Sequence, residues 1–220
     1  MRGHAHSGFT VVELLITLGI FVVVLGIAGQ VFVSQVRLAE QTEARNDMQV
    51  NLRAAMEMLT NDLYSAGSEG VSVSCTLTAA SLASTRPSAQ KHTVTSRYCD
   101  PYTGNSNTVA YELRPDANNG NLSTLYRRFN AAPIAPAIPG IVAMAFDFTC
   151  DVGAVCNPTA VGFDPNTVTS VTVKLTAQSS FGARGATSTC TFDGTPCTTK
   201  ANYYYEYAEQ TISPPNLKLN

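Results

Sequence analysis

Between Glu13 and Arg37 the chain carries no Asp, Glu, Lys or Arg, leaving 23 consecutive uncharged positions, residues 14–36. Coiled as a helix, that run is roughly 35 Å long at about 1.5 Å per residue, enough to cross a bilayer core of about 30 Å. A secretory signal would have a shorter apolar region of about 7–15 residues with a small-residue cleavage site after it. Here the small residue, Gly8, stands before the run. The run therefore reads as a retained membrane helix. The polar leader, with Arg2 and two histidines, stays on the cytoplasmic side and the rest crosses outward. Glu13 is the lone carboxylate of an otherwise apolar segment. A charge in hydrocarbon is costly and marks function by default.

Gly8-Phe9 followed by Glu13 resembles the class III signal of type IV pilins and type II secretion pseudopilins. The resemblance implies that prepilin peptidase cuts between Gly8 and Phe9 and methylates the new amine of Phe9. It implies an α+β pilin fold, a long N-terminal helix packed on an antiparallel sheet. It also implies other pilins and an assembly platform as partners. After such a cut, Phe9 would hold a free ammonium within about one helical turn of Glu13. A carboxylate near a helix N-terminus is favoured by the helix dipole, and a buried charge is far less costly when paired. Glu13 is therefore the expected assembly residue, meeting the Phe9 ammonium of a neighbouring subunit. Many major pilins have a proline 22 residues into the mature chain. Gln30 stands there instead, which leans the resemblance toward a minor pilin or a pseudopilin.

Gly19, Gly26 and Gly29 share one helical face, where small residues let neighbouring membrane helices approach closely. The competing reading is local loosening, since glycine weakens a helix by about 1 kcal/mol relative to alanine. Past the apolar run, residues 37–64 lack glycine and proline. Met48, Leu52, Ala55, Leu59 and Leu63 step by four and three, which makes one apolar stripe on an amphipathic helix. Gly67 is the expected stop. The segment 52–67 resembles PilW-type minor pilins and J-type pseudopilins.

From residue 70 onward Thr, Ser, Asn, Pro and Gly rise and charge thins, as in strands joined by long loops. Five strands are expected, at 108–114, 122–128, 141–149, 168–176 and 203–212. Asn119-Gly120 is a hairpin signal between the first two. The alternative for that loop, a calcium site, lacks the EF-hand spacing and its closing Glu. Met144, Phe146 and Phe148 should share one side of their strand, and Val171, Val173 and Leu175 should face inward. The proline-rich segment 133–139 reads as a stiff connector that cannot be a central strand. The expected organisation is a leader at 1–8, a membrane or filament-core helix at 9–36, an amphipathic continuation at 37–67 and a β-rich head at 68–220.

All six cysteines, Cys75, Cys99, Cys150, Cys156, Cys190 and Cys197, lie beyond the apolar run. An even count confined to the exported part points to disulfides in an oxidising compartment. Of fifteen connectivities the sequential one is expected: Cys75–Cys99, Cys150–Cys156 and Cys190–Cys197. His92 is the only histidine past the leader, which argues against zinc, and no metal or other cofactor is expected. No catalytic constellation is found, so the chain reads as a non-enzyme. Asp147 and Asp151 are an ordinary pair of strand-edge and loop carboxylates. Arg127, Arg128, Tyr203, Tyr204, Tyr205 and Tyr207 offer a basic and aromatic surface for DNA, weighed against plain sheet decoration. The net charge of −2 gives no global attraction to nucleic acid. The leading expectation is a structural minor pilin, held in the bacterial inner membrane with its head outside until it enters a pilus. The alternatives are a type II secretion pseudopilin and a membrane-anchored adhesin or DNA-receptor head.

Overall fold

The computed structural model describes residues 10–68, 82–88, 91–115, 122–151, 156, 167–183, 186, 189–192, 194–197, 199 and 201–218. The expected cut site Gly8-Phe9, Cys75 and the Asn119-Gly120 turn lie outside them. The chain divides into two compact units, Met1–Thr42 and Glu43–Asn220.

One helix, α1, runs over Val11–Tyr64 without a break at Gln30. Within the first unit its apolar side chains, from Val11 to Leu38, are exposed. Within the second unit the stripe is buried: Ala44, Met48, Leu52, Ala55, Leu59 and Leu63 all point into the core, joined by Met56. The helix ends in turns closed by Ala66 N–H donating to Leu63 C=O at 3.1 Å. Gly67 follows at φ 75°, the left-handed conformation glycine adopts without a Cβ clash. Its N–H reaches the Arg97 carbonyl at 2.8 Å, so the helix stop is also tied to a strand.

The strands are β1 (Leu82–Ser88), β2 (Lys91–Cys99), β3 (Ser106–Pro115), β4 (Ser123–Phe129), β5 (Ala135–Pro139), β6 (Ile141–Cys150) and β7 (Val168–Gln178). Then follow β8 (Thr191–Phe192), β9 (Thr195–Pro196) and β10 (Tyr205–Ile212). Eight of them form one sheet in the order β10-β7-β6-β2-β3-β4-β5, with β1 paired to β2. Pairing is antiparallel except where β2 meets β6 in parallel at Lys91 and Met144. Five hairpin-linked strands were expected. The larger sheet and its parallel join correct that count, because β2 inserts between β6 and β3 rather than following a meander.

Within the segment 133–139, Ala135–Pro139 does form a strand, but at the sheet edge, where prolines 136 and 139 interrupt no ladder on a second side. The inward faces follow period two. Val171, Val173 and Leu175 are fully buried, as are Val109 and Tyr111 or nearly so. Met144 and Phe146 share their side of β6. At Gly140, φ is +80° and an added Cβ would stand 2.6 Å from the Gln178 carbonyl oxygen. Glycine is required there for the β5–β6 corner. On the opposite face of the sheet Ala143 and Ala145 form a second small cluster with Phe192 of the β8–β9 ribbon. Tyr207 meets Phe192 edge to face, 6.1 Å between centroids. Disulfides Cys150–Cys156 and Cys190–Cys197 close short loops, with Cα atoms 5.5 and 5.3 Å apart. Cys99 is disulfide-bonded too.

Candidate functional site

The start of α1 follows from four residues, Thr10-Val-Val-Glu13. A helix leaves its first amides without intrahelical acceptors. Here Thr10 sits at the N-cap and its Oγ1 accepts the Glu13 N–H at 3.3 Å. Glu13 Oε2 accepts the Thr10 N–H at 3.1 Å and the Thr10 hydroxyl at 3.2 Å. This is a reciprocal capping box. It fixes the carboxylate at the positive end of the helix dipole. The contribution of Thr10 escaped the sequence reading, although its Thr-x-x-Glu spacing was there to be read. Both of these bonds fall on Oε2, and no hydrogen bond on the described residues uses Oε1. Thr17 continues the pattern, donating its hydroxyl to the Glu13 carbonyl at 2.9 Å.

Downstream in the same unit the helix surface is bare. Around Gly19, Gly26 and Gly29, apart from the helix's own neighbouring backbone, no atom of the described residues lies within 4 Å of where a Cβ would stand. A contiguous exposed apolar surface of this kind marks contact with membrane or protein.

The head unit contains a different charged group. Asp62 of α1 accepts the Tyr111 hydroxyl from β3 and the Arg127 guanidinium from β4, Nε at 3.0 Å and Nη2 at 3.3 Å. Arg127 Nε also lies 3.0 Å from the Tyr111 oxygen, and its guanidinium stacks 5.8 Å from the Phe129 ring. Burial, then the Asp62 carboxylate as hydrogen-bond acceptor and as charge, pushes the Tyr111 phenol well above its ordinary value. Arg127 was expected as outward decoration or a DNA contact. It instead faces the helix and is committed to Asp62, because odd positions of β4 share the side of Leu125. Arg128 points the other way and is exposed.

Two further contacts hold α1 to the segments flanking β7 and β10: Asp47 accepts the Ser180 N–H at 3.2 Å, and Arg45 lies 4.5 Å over the Tyr204 ring. Asp147 is paired with Lys174 at 2.6 Å rather than with a second carboxylate. Tyr207 donates to Glu209 at 2.6 Å. Among the described residues no group of three His, Cys, Asp or Glu side chains is placed to hold a metal ion.

Residues 3–29 match the family model of the prokaryotic N-terminal methylation motif. The matched segment contains Gly8, Phe9, Thr10 and Glu13, so the capped carboxylate lies inside it. A curated relative, the pilin-like protein PilA3 of Thermus thermophilus, is 43% identical over 60 residues, 27% of this chain. The chain spans about a quarter of that relative's length, 26%. No solved structure matches the chain. The methylation motif and the pilin-like helix on a sheet are consistent with the broad type IV pilin and pseudopilin superfamily. Among the described residues one helix, α1, is long and apolar enough to cross a membrane, which is consistent with a single membrane anchor.

Proposed function

We propose that the chain is a structural minor pilin of the PilW type, cut between Gly8 and Phe9, methylated on Phe9 and then built into, or used to prime, a type IV pilus. The observation that carries this reading is Glu13. It is a carboxylate inside a methylation motif, held at the tip of an exposed apolar helix, with one oxygen that takes no hydrogen bond from the described residues. In an assembled filament that oxygen would accept the Phe9 ammonium of a neighbouring subunit. The pairing would cancel a charge that hydrocarbon or a packed helical core tolerates poorly. Gly19, Gly26 and Gly29 would lie against neighbouring helices. The chain itself needs no cofactor in this role. Prepilin peptidase, major and minor pilins, and the assembly platform would be its partners. The inner membrane would hold it before extraction, with the head in the periplasm and later at the cell surface.

Mass spectrometry of sheared surface filaments tests the reading. It should find this chain beginning at N-methyl-Phe9. Glu13→Ala should leave membrane insertion intact while reducing filament incorporation at least tenfold. A full-length chain with the leader attached, in cells with working peptidase, would sink the proposal. Recovery of the processed chain only with secretion components, never in pili, would move it to the type II secretion pseudopilins.

A further inference from the structure

The apolar run at residues 14–36 holds four polar side chains, Thr17, Gln30, Ser34 and Gln35. The two hydroxyls are satisfied by their own helix. Thr17 donates to the Glu13 and Leu14 carbonyls, both at 2.9 Å, and Ser34 donates to the Val31 carbonyl at 2.7 Å. Gln30 has no such outlet. The helix runs through it unbroken, its side chain is exposed, and its amide makes no hydrogen bond with the described residues. Depth decides what that means. Leu25 is the midpoint of the run, and Gln30 stands five residues beyond it. At about 1.5 Å per residue Gln30 is roughly 7.5 Å from the midplane, against a hydrocarbon half-thickness of about 15 Å. Gln35, at about 15 Å, already reaches the headgroups, where water serves it. A side-chain amide inside hydrocarbon is costly without a partner, and in a membrane its partner is another helix.

The chemistry of the amide selects that partner. It carries two donors and one acceptor oxygen, so it is complementary to itself. Copies inserted with the same orientation hold Gln30 at the same depth. A two-fold contact between them sets amide against amide and returns the bond in both directions. Gly26, one turn earlier on the same face, has no side chain to hold a sister helix away. Arg37 shares that face as well. At about 18 Å from the midplane it lies among headgroups, where water and salt screen the repulsion between its copies.

We propose that α1 pairs with α1 of a second copy of this chain within the membrane, the two Gln30 side chains hydrogen-bonded to each other across a parallel seam. The inference rests on the reading of residues 14–36 as a membrane span and is independent of filament incorporation.

The test labels the full chain at its amino terminus with a donor or an acceptor dye and reconstitutes both forms in phosphatidylcholine vesicles. Energy transfer should fall along a monomer–dimer curve as lipid is added. Gln30→Leu should weaken the dimer about tenfold, within the range known for interhelical hydrogen bonds in membranes. Gln30→Asn keeps an amide at nearly the same depth and should recover at least half of that loss. An inserted wild-type chain that stays monomeric overturns the proposal, and so does a Gln30→Leu dimer as tight as the wild type. A second arm co-expresses two copies with different epitope tags in a bacterial inner membrane and isolates one tag in zwitterionic detergent. Recovery of the other tag supports the pairing, whereas a Gln30-dependent complex with a different membrane protein in its place overturns it. Carbonate extraction of the vesicles separates the two levels of the argument. A chain released by carbonate refutes the span itself, and an inserted monomer refutes only the dimer.

Discussion

At the scale of single residues, two side chains with hydroxyls hold two carboxylates in place. Thr10 orients Glu13, and Tyr111 sits on Asp62. Removing the first should be felt locally. Thr10→Val deletes the N-cap acceptor and should cost about 1 kcal/mol at the helix start. Amide hydrogen exchange in micelles should show faster exchange confined to the first turn, and Thr10→Ser should restore protection. The second pair has a pH signature. The folded Tyr111 phenol titrates above the ~10 of a free tyrosine, so its stabilising effect is complete below pH ~10. That effect is lost as pH rises through the folded value. Denaturant midpoints measured upward from pH 9 should therefore fall more steeply in the wild type than in Tyr111→Phe, which has no phenol to ionise.

At the scale of elements, what could be read depended on whether burial left a period behind. The inward positions of α1 are apolar except for Thr60, so the steps of four and three were legible and all five stripe residues are buried. Leu59 sits at its centre, fully buried. Leu59→Ala should lose about 2–5 kcal/mol by urea unfolding monitored in the head, the usual cost of an emptied leucine site. Strands β3, β4, β6, β7 and β10 were legible from alternation, with ends displaced by at most two residues. Strand β2 was not. Its inward positions are Val94, Ser96 and Tyr98, and a buried serine breaks the pattern even though Ser96 is 2% exposed. Strand β1 carries Arg86 and Pro87 and pairs only with β2 among the described strands. Strands β8 and β9 are two residues each, too short for any period. The parallel join of β2 to β6 rests on residues more than fifty positions apart, which no local pattern encodes. The candidate site divides the same way. Glu13 stood out by charge, whereas Thr10 was hidden because a threonine in an apolar run looks unremarkable without the capping geometry.

At the scale of the whole molecule, the two units depend on different surroundings. The head has its own core and closes two of its loops with disulfides. The Cys190–Cys197 bridge clamps the ribbon whose Phe192 covers Ala143 and Ala145. Replacing both cysteines by serine should cost about 2 kcal/mol by the chain-entropy estimate for so short a loop. Limited proteolysis should then cut first near residues 190–197, with the rest of the head still resistant. The N-terminal unit has no comparable core. Its large apolar side chains between Val11 and Leu38 are exposed, with no cover among the described residues of its own unit.

That bareness governs how the molecule can travel. Water would reject such a surface at any moment when neither lipid nor a sister helix shields it. In the proposed role, a subunit could not drift free between lipid and filament; it would be passed straight from one greasy environment into the other, with the last lipid leaving as the first neighbour arrives.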